Sequence, residues 1–265
     1  MSVLSDLDRF YANFNGEKFS IGKSMQGRDL LCFKVSKTLK PVIIVQASIH
    51  AREFVTAYLT FKLIKDFSKN GRVGTVYFIP VMNPDGVNIC QTVNPLYKAN
   101  ARGVDLNVNF DARWGKGEKN VWCSGLENFV GDYPFSELET MSLRDFTYKI
   151  KPDMTISYHS KGEEIYYEFF QSEKNRNRDR IFAELVAKIT GYAIKSTPFS
   201  AGGYKDWCIE KLGIPALTIE VGNDSLVHPL GKRQACVIFQ KHKGVISALT
   251  EKISEYQIQI HEECH

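Results

Sequence analysis

The stretch "PVIIVQASIHARE" (Pro41 to Glu53) decides how this chain is read. Its first nine residues form a near-continuous β-branched run, the composition of a strand buried on both faces. Directly behind it come His50, Ala51, Arg52 and Glu53. An imidazole and a carboxylate three residues apart can share one side of a helical turn, so both can reach one metal ion. The pair gains weight from its position, because a buried strand running into a helix places both groups at a sheet edge.

Working outward, "EFVTAYLTFKLIKDFSKNG" has a helical stripe in Phe54, Tyr58, Phe61, Leu63 and Ile64, with Gly71 as a stop signal. "TVYFIPVMNPDG" (Thr75 to Gly86) reads as a second buried strand closed by an N-P-D-G turn. "DMTISYH" (Asp153 to His159) and "ALTIEVG" (Ala216 to Gly222) repeat the strand pattern. Arg180 to Thr190 and Asp206 to Leu212 read as helices between them. The final "GVISALTEKISEYQIQI" is amphipathic through Val245, Leu249, Ile253, Tyr256 and Ile260. Strand alternating with helix predicts an α/β fold, a mostly parallel sheet with helices on both faces, as one domain over residues 1–265. Function in such sheets gathers at the carboxyl ends of the strands.

Composition narrows the classes. The 265 residues are 43% hydrophobic and 24% charged, with a net charge of +4 and no long Lys/Arg run. The densest basic stretch, "EKNRNRDR" (Glu173 to Arg180), is interrupted by acids and reads as a solvated loop leading into a helix. Nucleic acid and membrane are therefore not expected partners, and composition leaves the oligomeric state open. The start, "MSVLSDLDRFYANF", has acids and aromatics where an export signal needs a basic end and an apolar run. Six cysteines lack C-x-x-C pairing. Together these lead to the expectation of a cytoplasmic protein with reduced thiols. "HEECH" (His261 to His265) fits the zinc-protease pattern H-E-x-x-H, but it lies in the last turn of a terminal helix with no further ligand after it, and is read as a solvated tail.

The strand ends carry the chemistry. His50, Glu53 and His159 offer two nitrogens and an oxygen, a donor set that leaves a fourth zinc position open. Glu220 closes the strand "ALTIE", where an acid is costly to bury unless it is paired or working. With Asn83-Pro84-Asp85-Gly86, "GVDLNVNF" (Gly103 to Phe110) and "TIEVG" (Thr218 to Gly222), these residues resemble the M14 zinc carboxypeptidases over about residues 21–220. The resemblance implies a mixed, mainly parallel sheet flanked by helices. It implies one Zn²⁺ held by His50, Glu53 and His159, and Glu220 as the general base and acid. It also places Lys98 where many members carry an arginine that steadies the oxyanion.

Two departures bear on substrate. Members that remove C-terminal residues carry "NRN", whose arginine clamps the terminal carboxylate; here the place reads Asn107-Val108-Asn109. Valine cannot donate a hydrogen bond. The tyrosine usual before "GG…DW" is replaced by Pro198. Lys205 in "AGGYKDW" stands where related enzymes line the specificity pocket with a neutral residue, and a cation there favours a carboxylate-bearing group. "HSKGEEIYY", "KANARGVDLN" and "GGYKDW" look most like the branch that cleaves γ-D-glutamyl–diaminopimelate bonds of bacterial cell-wall peptides. Asn107, Arg102 and Lys205 are the candidate substrate-binding residues. A conventional carboxypeptidase or amidohydrolase, and a non-catalytic peptide binder on the same fold, remain as alternatives.

Overall fold

The computed structural model describes residues 2–263, with side chains through residue 259. Sixteen helices and strands follow one another as α1 (Val3–Asn13), β1 (Glu17–Lys23), β2 (Asp29–Ser36), β3 (Val42–Ala47), α2 (Val55–Asn70), β4 (Thr75–Ile79), α3 (Pro84–Thr92), α4 (Leu138–Ile150), β5 (Met154–His159), β6 (Glu164–Tyr166), α5 (Glu173–Thr190), β7 (Ala193–Ile194), α6 (Tyr204–Leu212), β8 (Ala216–Glu220), α7 (Lys232–His242) and α8 (Val245–Glu263). Single turns of 3-10 helix cover Ala51–Glu53 and Leu106–Val108.

All eight strands join one sheet in the order β1-β2-β4-β3-β5-β8-β6-β7. The centre is parallel, with β3 between β4 and β5 and β8 beside β5. The flanks are antiparallel at β1–β2, β2–β4 and β6–β8. The sheet is thus mixed with a parallel middle, as expected. Every residue of β3 and β5 is buried, which explains why both read as unbroken strands without alternation. Ile43, Val45 and Ala47 face one apolar layer, formed with α1, α2, α5, α7 and α8. Ile44 faces the other, where Phe110, Tyr204, Trp207 and Cys208 pack under α6 and α4. Trp207 is part of this layer, with its ring against those of Phe135 and Tyr204.

Three local expectations are corrected. The N-P-D-G sequence starts helix α3 instead of turning: the Asn83 side chain caps the Gly86 N–H, and Pro84 sits in the first turn, where its missing N–H costs nothing. Glu173 to Arg180 forms the first two turns of α5, capped by Ser172, with Arg180 paired to Glu184 along the helix. The apolar residues of α2 wrap most of the helix, because α1, α7 and α8 also pack against it. The flanking strands β1, β2, β6 and β7, and helices α1, α3, α4 and α7, gave no periodic signal strong enough to be read. Cys32, Cys90, Cys123, Cys208 and Cys236 are free thiols, in line with the sequence. Among the described residues no helix is long and apolar enough to cross a membrane. The pentapeptide His261–His265 lies outside the residues whose side chains are described.

Candidate metal centre and active site

Parallel β3, β5 and β8 lie side by side, so their carboxyl ends deliver three functional segments to one edge. His50 follows β3 and begins the 3-10 turn that brings Glu53 back beside it; the turn is tighter than the α-helical one expected. His159 ends β5, directly across from Glu220 at the end of β8. His50 Nδ1 lies 2.9 Å from one Glu53 oxygen, and His159 Nδ1 lies 3.1 Å from the other. The two Nδ1 atoms are 3.2 Å apart. All three ligand atoms fall within 4.8 Å of one another, and all three residues are buried.

This donor set fits a metal ion. Burial disfavours a charged imidazole at His50, but Glu53 and Asp105 outweigh it and hold His50 up at about 9. Burial likewise opposes the Glu53 carboxylate, yet His50 and His159 keep it well below the usual carboxylate range. His159 moves the other way, lowered chiefly by burial. The cluster is a water-poor place that favours added positive charge.

Asp105 is a functional residue the sequence reading passed over. One oxygen takes His50 Nε2 at 3.1 Å, which turns Nδ1 toward Glu53 and His159. The other lies 2.7 Å from Lys98 Nζ. A carboxylate behind a ligating imidazole fixes its tautomer and raises its basicity. The available signal was an acid within "GVDLN" preceding two residues already singled out. His228, also unremarked, donates Nε2–H to the Ser160 carbonyl at 3.2 Å, beside the end of β5.

The remaining candidates divide. Glu220 has no hydrogen-bond partner among the described residues, and burial, reinforced by the Glu53 charge, pushes it well above the ordinary carboxylate range. Lys98 is mostly buried; burial opposes its charge, but Asp105 more than restores it and its Nζ also donates to Asn128 at 2.6 Å. Asn107 adjoins the cluster, its N–H donating to Asp105 at 3.0 Å. Val108 packs its carbonyl against Gly202. A Cβ added to that glycine, whose φ is +85°, would stand 2.7 Å from the Val108 oxygen, so the approach requires glycine. Arg102 and Lys205 are not brought to the cluster. Arg102 pairs with Asp132 and Glu137. Lys205 is buried and held by Asp206 at 2.6 Å and by the Glu168 carbonyl at 2.8 Å. Their cationic heads are thus occupied by the protein itself.

A mixed sheet with two histidines and a carboxylate gathered at its parallel centre, and an unpaired glutamate alongside, defines the metallopeptidase class of site. The model of the zinc carboxypeptidase family, Peptidase M14, matches residues 11–235, and the chain belongs to that family. A γ-D-glutamyl-L-diamino acid endopeptidase of Lysinibacillus sphaericus is 26% identical over 77% of this chain, which spans 59% of that relative's length. Among solved structures, bovine thrombin-activatable fibrinolysis inhibitor shares the fold at a TM-score of 0.84 and 21% identity, covering 97% of this chain and 98% of its own. The murein-tripeptide amidase MpaA of Escherichia coli O157 shares it at 0.63 and 24%, covering 89% and 92%. Zinc is the family's metal, and the cluster of His50, Glu53 and His159 is able to hold it.

Proposed function

We propose that this protein is a zinc-dependent peptidase that hydrolyses γ-D-glutamyl–diaminopimelate amide bonds in carboxylate-rich peptides derived from bacterial cell walls. The observation that carries the reading is the pairing of an intact cluster and free Glu220 with a valine in the clamp position. The hydrolytic groups are present, while the donor that a C-terminal exopeptidase needs is replaced by a valine, whose backbone carbonyl packs against Gly202. The name of the Lysinibacillus relative, an endopeptidase of γ-D-glutamyl–diamino acid bonds, supports the same substrate class.

In this reading His50, Glu53 and His159 hold zinc, which supplies Lewis acidity toward water and the scissile carbonyl. Glu220, raised by burial and by Glu53, takes a proton from the attacking water and returns it to the leaving amine. Lys98 places a positive charge where the carbonyl oxygen gains negative charge. As a point charge instead of a planar fork, it holds that oxygen through one hydrogen-bonding atom. Asp105 positions both groups, binding His50 with one oxygen and Lys98 with the other. Asn107, tied to Asp105, orients the substrate at the neighbouring edge.

The test is incubation of purified protein, with and without chelator, with L-Ala-γ-D-Glu-diaminopimelate and with a hippuryl amino acid. Chelator-sensitive release from the tripeptide alone is expected. Release from the hippuryl substrate would instead make this a conventional carboxypeptidase, and no release from either with zinc bound would make it a binding protein.

A further inference from the structure

Outside the metal cluster, a pocket of about 200 Å³ lies between the segment Arg113 to Glu118 and the segment Pro198 to Ala201. The two segments are joined by the Glu118 N–H donating to the Phe199 carbonyl at 3.0 Å. The walls are aromatic and open to solvent, with Phe170 60% and Phe199 69% exposed. Water-facing phenyl rings lining one concavity are an unfavourable arrangement unless something covers them. The Arg113 guanidinium carbon lies over the Phe170 ring, 3.3 Å from its centre, and the side chain spends only its Nε on Glu210. Its two terminal nitrogens, the Lys116 ammonium and the Glu118 carboxylate have no partner among the described residues. Arg113 and Phe170 both take left-handed backbone at φ of 50° and 48°, conformations that cost a non-glycine residue energy and that gather at ligand clamps.

The pocket adjoins the place of the missing clamp. Ala201 lines it; Gly202 follows and presses on the Val108 carbonyl; Gly203 lies against Asn107, which is tied to Asp105 of the metal cluster. Each step of that route is a chain neighbour or a direct contact, so the pocket and the metal cluster are joined by one continuous path of residues. Two cations and one anion between apolar walls match a group bearing a carboxylate and an ammonium on adjacent bonds, at the end of a methylene chain.

We propose that this pocket binds the zwitterionic amino-acid end of a diamino acid side chain, with Arg113 and Lys116 on its carboxylate, Glu118 on its ammonium, and Phe170 and Phe199 against its methylenes. The inference rests on the reading of the protein as a γ-D-glutamyl–diamino acid peptidase, and supplies the anchor that Val108 cannot. A side chain ending in an ammonium alone satisfies Glu118 and leaves both cations without a partner, so the pocket discriminates diaminopimelate from lysine.

The experiment measures binding by titration calorimetry on the zinc-loaded full chain carrying Glu220→Gln to block turnover. The ligands are L-Ala-γ-D-Glu-meso-diaminopimelate and L-Ala-γ-D-Glu-L-Lys. The diaminopimelate peptide is expected to bind at least tenfold more tightly. Adding Arg113→Ala and Lys116→Ala should bring the ratio near one, and Lys116→Arg should keep most of it. These side chains are exposed, so an unchanged thermal midpoint shows that the variants fold. Equal affinities before substitution, a ratio that the substitutions leave unmoved, or no binding of either peptide overturns the proposal. Turnover by the unsubstituted enzyme is scored separately. Cleavage with an unresponsive ratio removes the pocket and leaves the bond assignment, whereas a responsive ratio without cleavage removes the bond assignment and leaves the pocket.

Discussion

Asp105 sits behind the metal cluster with both oxygens committed, one to His50 at 3.1 Å and one to Lys98 at 2.7 Å. Asp105→Asn keeps the shape but offers an amide nitrogen to one of these donors, so either the imidazole loses its orientation or the lysine loses its counter-charge. Loss of such an outer partner commonly lowers metal affinity ten- to a hundredfold. Zinc affinity measured by chelator competition should fall by that factor in Asp105→Asn; unaltered affinity would remove Asp105 from the orienting role. Glu220→Gln should behave oppositely. It touches none of the three ligands by hydrogen bond, so zinc should remain bound while turnover drops by orders of magnitude. A turnover close to that of the unsubstituted protein would take Glu220 out of the proton transfers. Measured together, the two variants separate the group that holds the metal's environment from the group that moves the proton.

Among the elements, α3 shows why a site can be legible while its support is not. Asn83 accepts from the Gly86 N–H and donates to the carbonyls of Ile49 and Ala99 at 3.1 and 3.0 Å. One amide thereby caps a helix and fastens the residue before His50 to the loop after Lys98. Asn83→Ala forfeits the cap and leaves two buried carbonyls short of a donor, for an expected loss of about 2–4 kcal/mol in urea unfolding. A loss below about 1 kcal/mol would mean the carbonyls find other partners. The sequence reading took Asn83 to Gly86 for a turn because Asn, Pro, Asp and Gly each favour turns, and helix-start chemistry uses the same residues. The central strands were legible because burial on both faces leaves a continuous apolar signature, and their polar ends stood out against it. The outer strand β1, with only half-buried and exposed residues, carries no such contrast. Lys205 is a candidate from its place in the resemblance together with its charge, and Arg102 from its charge. Their pairing with Asp132, Glu137, Asp206 and the Glu168 carbonyl joins segments up to 37 residues apart or depends on side-chain direction, which spacing does not encode.

For the whole molecule, two buried groups outside the metal centre tilt the pH dependence of stability in opposite senses. His242 ends α7 with both ring nitrogens unpartnered among the described residues, packed against the rings of Tyr158 and Tyr192, with Lys241 adjacent. Burial, with a smaller push from Lys241, lowers it from 6.5 to about 3. Between those values the unfolded chain binds a proton that the fold refuses, so this group's contribution to stability falls as pH drops from 6.5 toward 3. Glu139, buried beside α3, is raised from 4.5 to about 7 by burial, with Asp85 adding to the rise. Here the fold holds a proton that the unfolded chain releases, so its contribution is complete below 4.5 and is lost as pH climbs toward 7. From about pH 4.5 to 6.5 the two slopes cancel, each being about 1.4 kcal/mol per pH unit at full effect. His242→Gln should expose the Glu139 slope, giving a protein whose unfolding free energy declines relative to the parent as pH rises over that window. Glu139→Gln should expose the His242 slope, a relative rise over the same window. Urea denaturation at half-unit steps from pH 4.5 to 7 reads both. Profiles parallel to the parent's would show that neither group changes its proton count on folding.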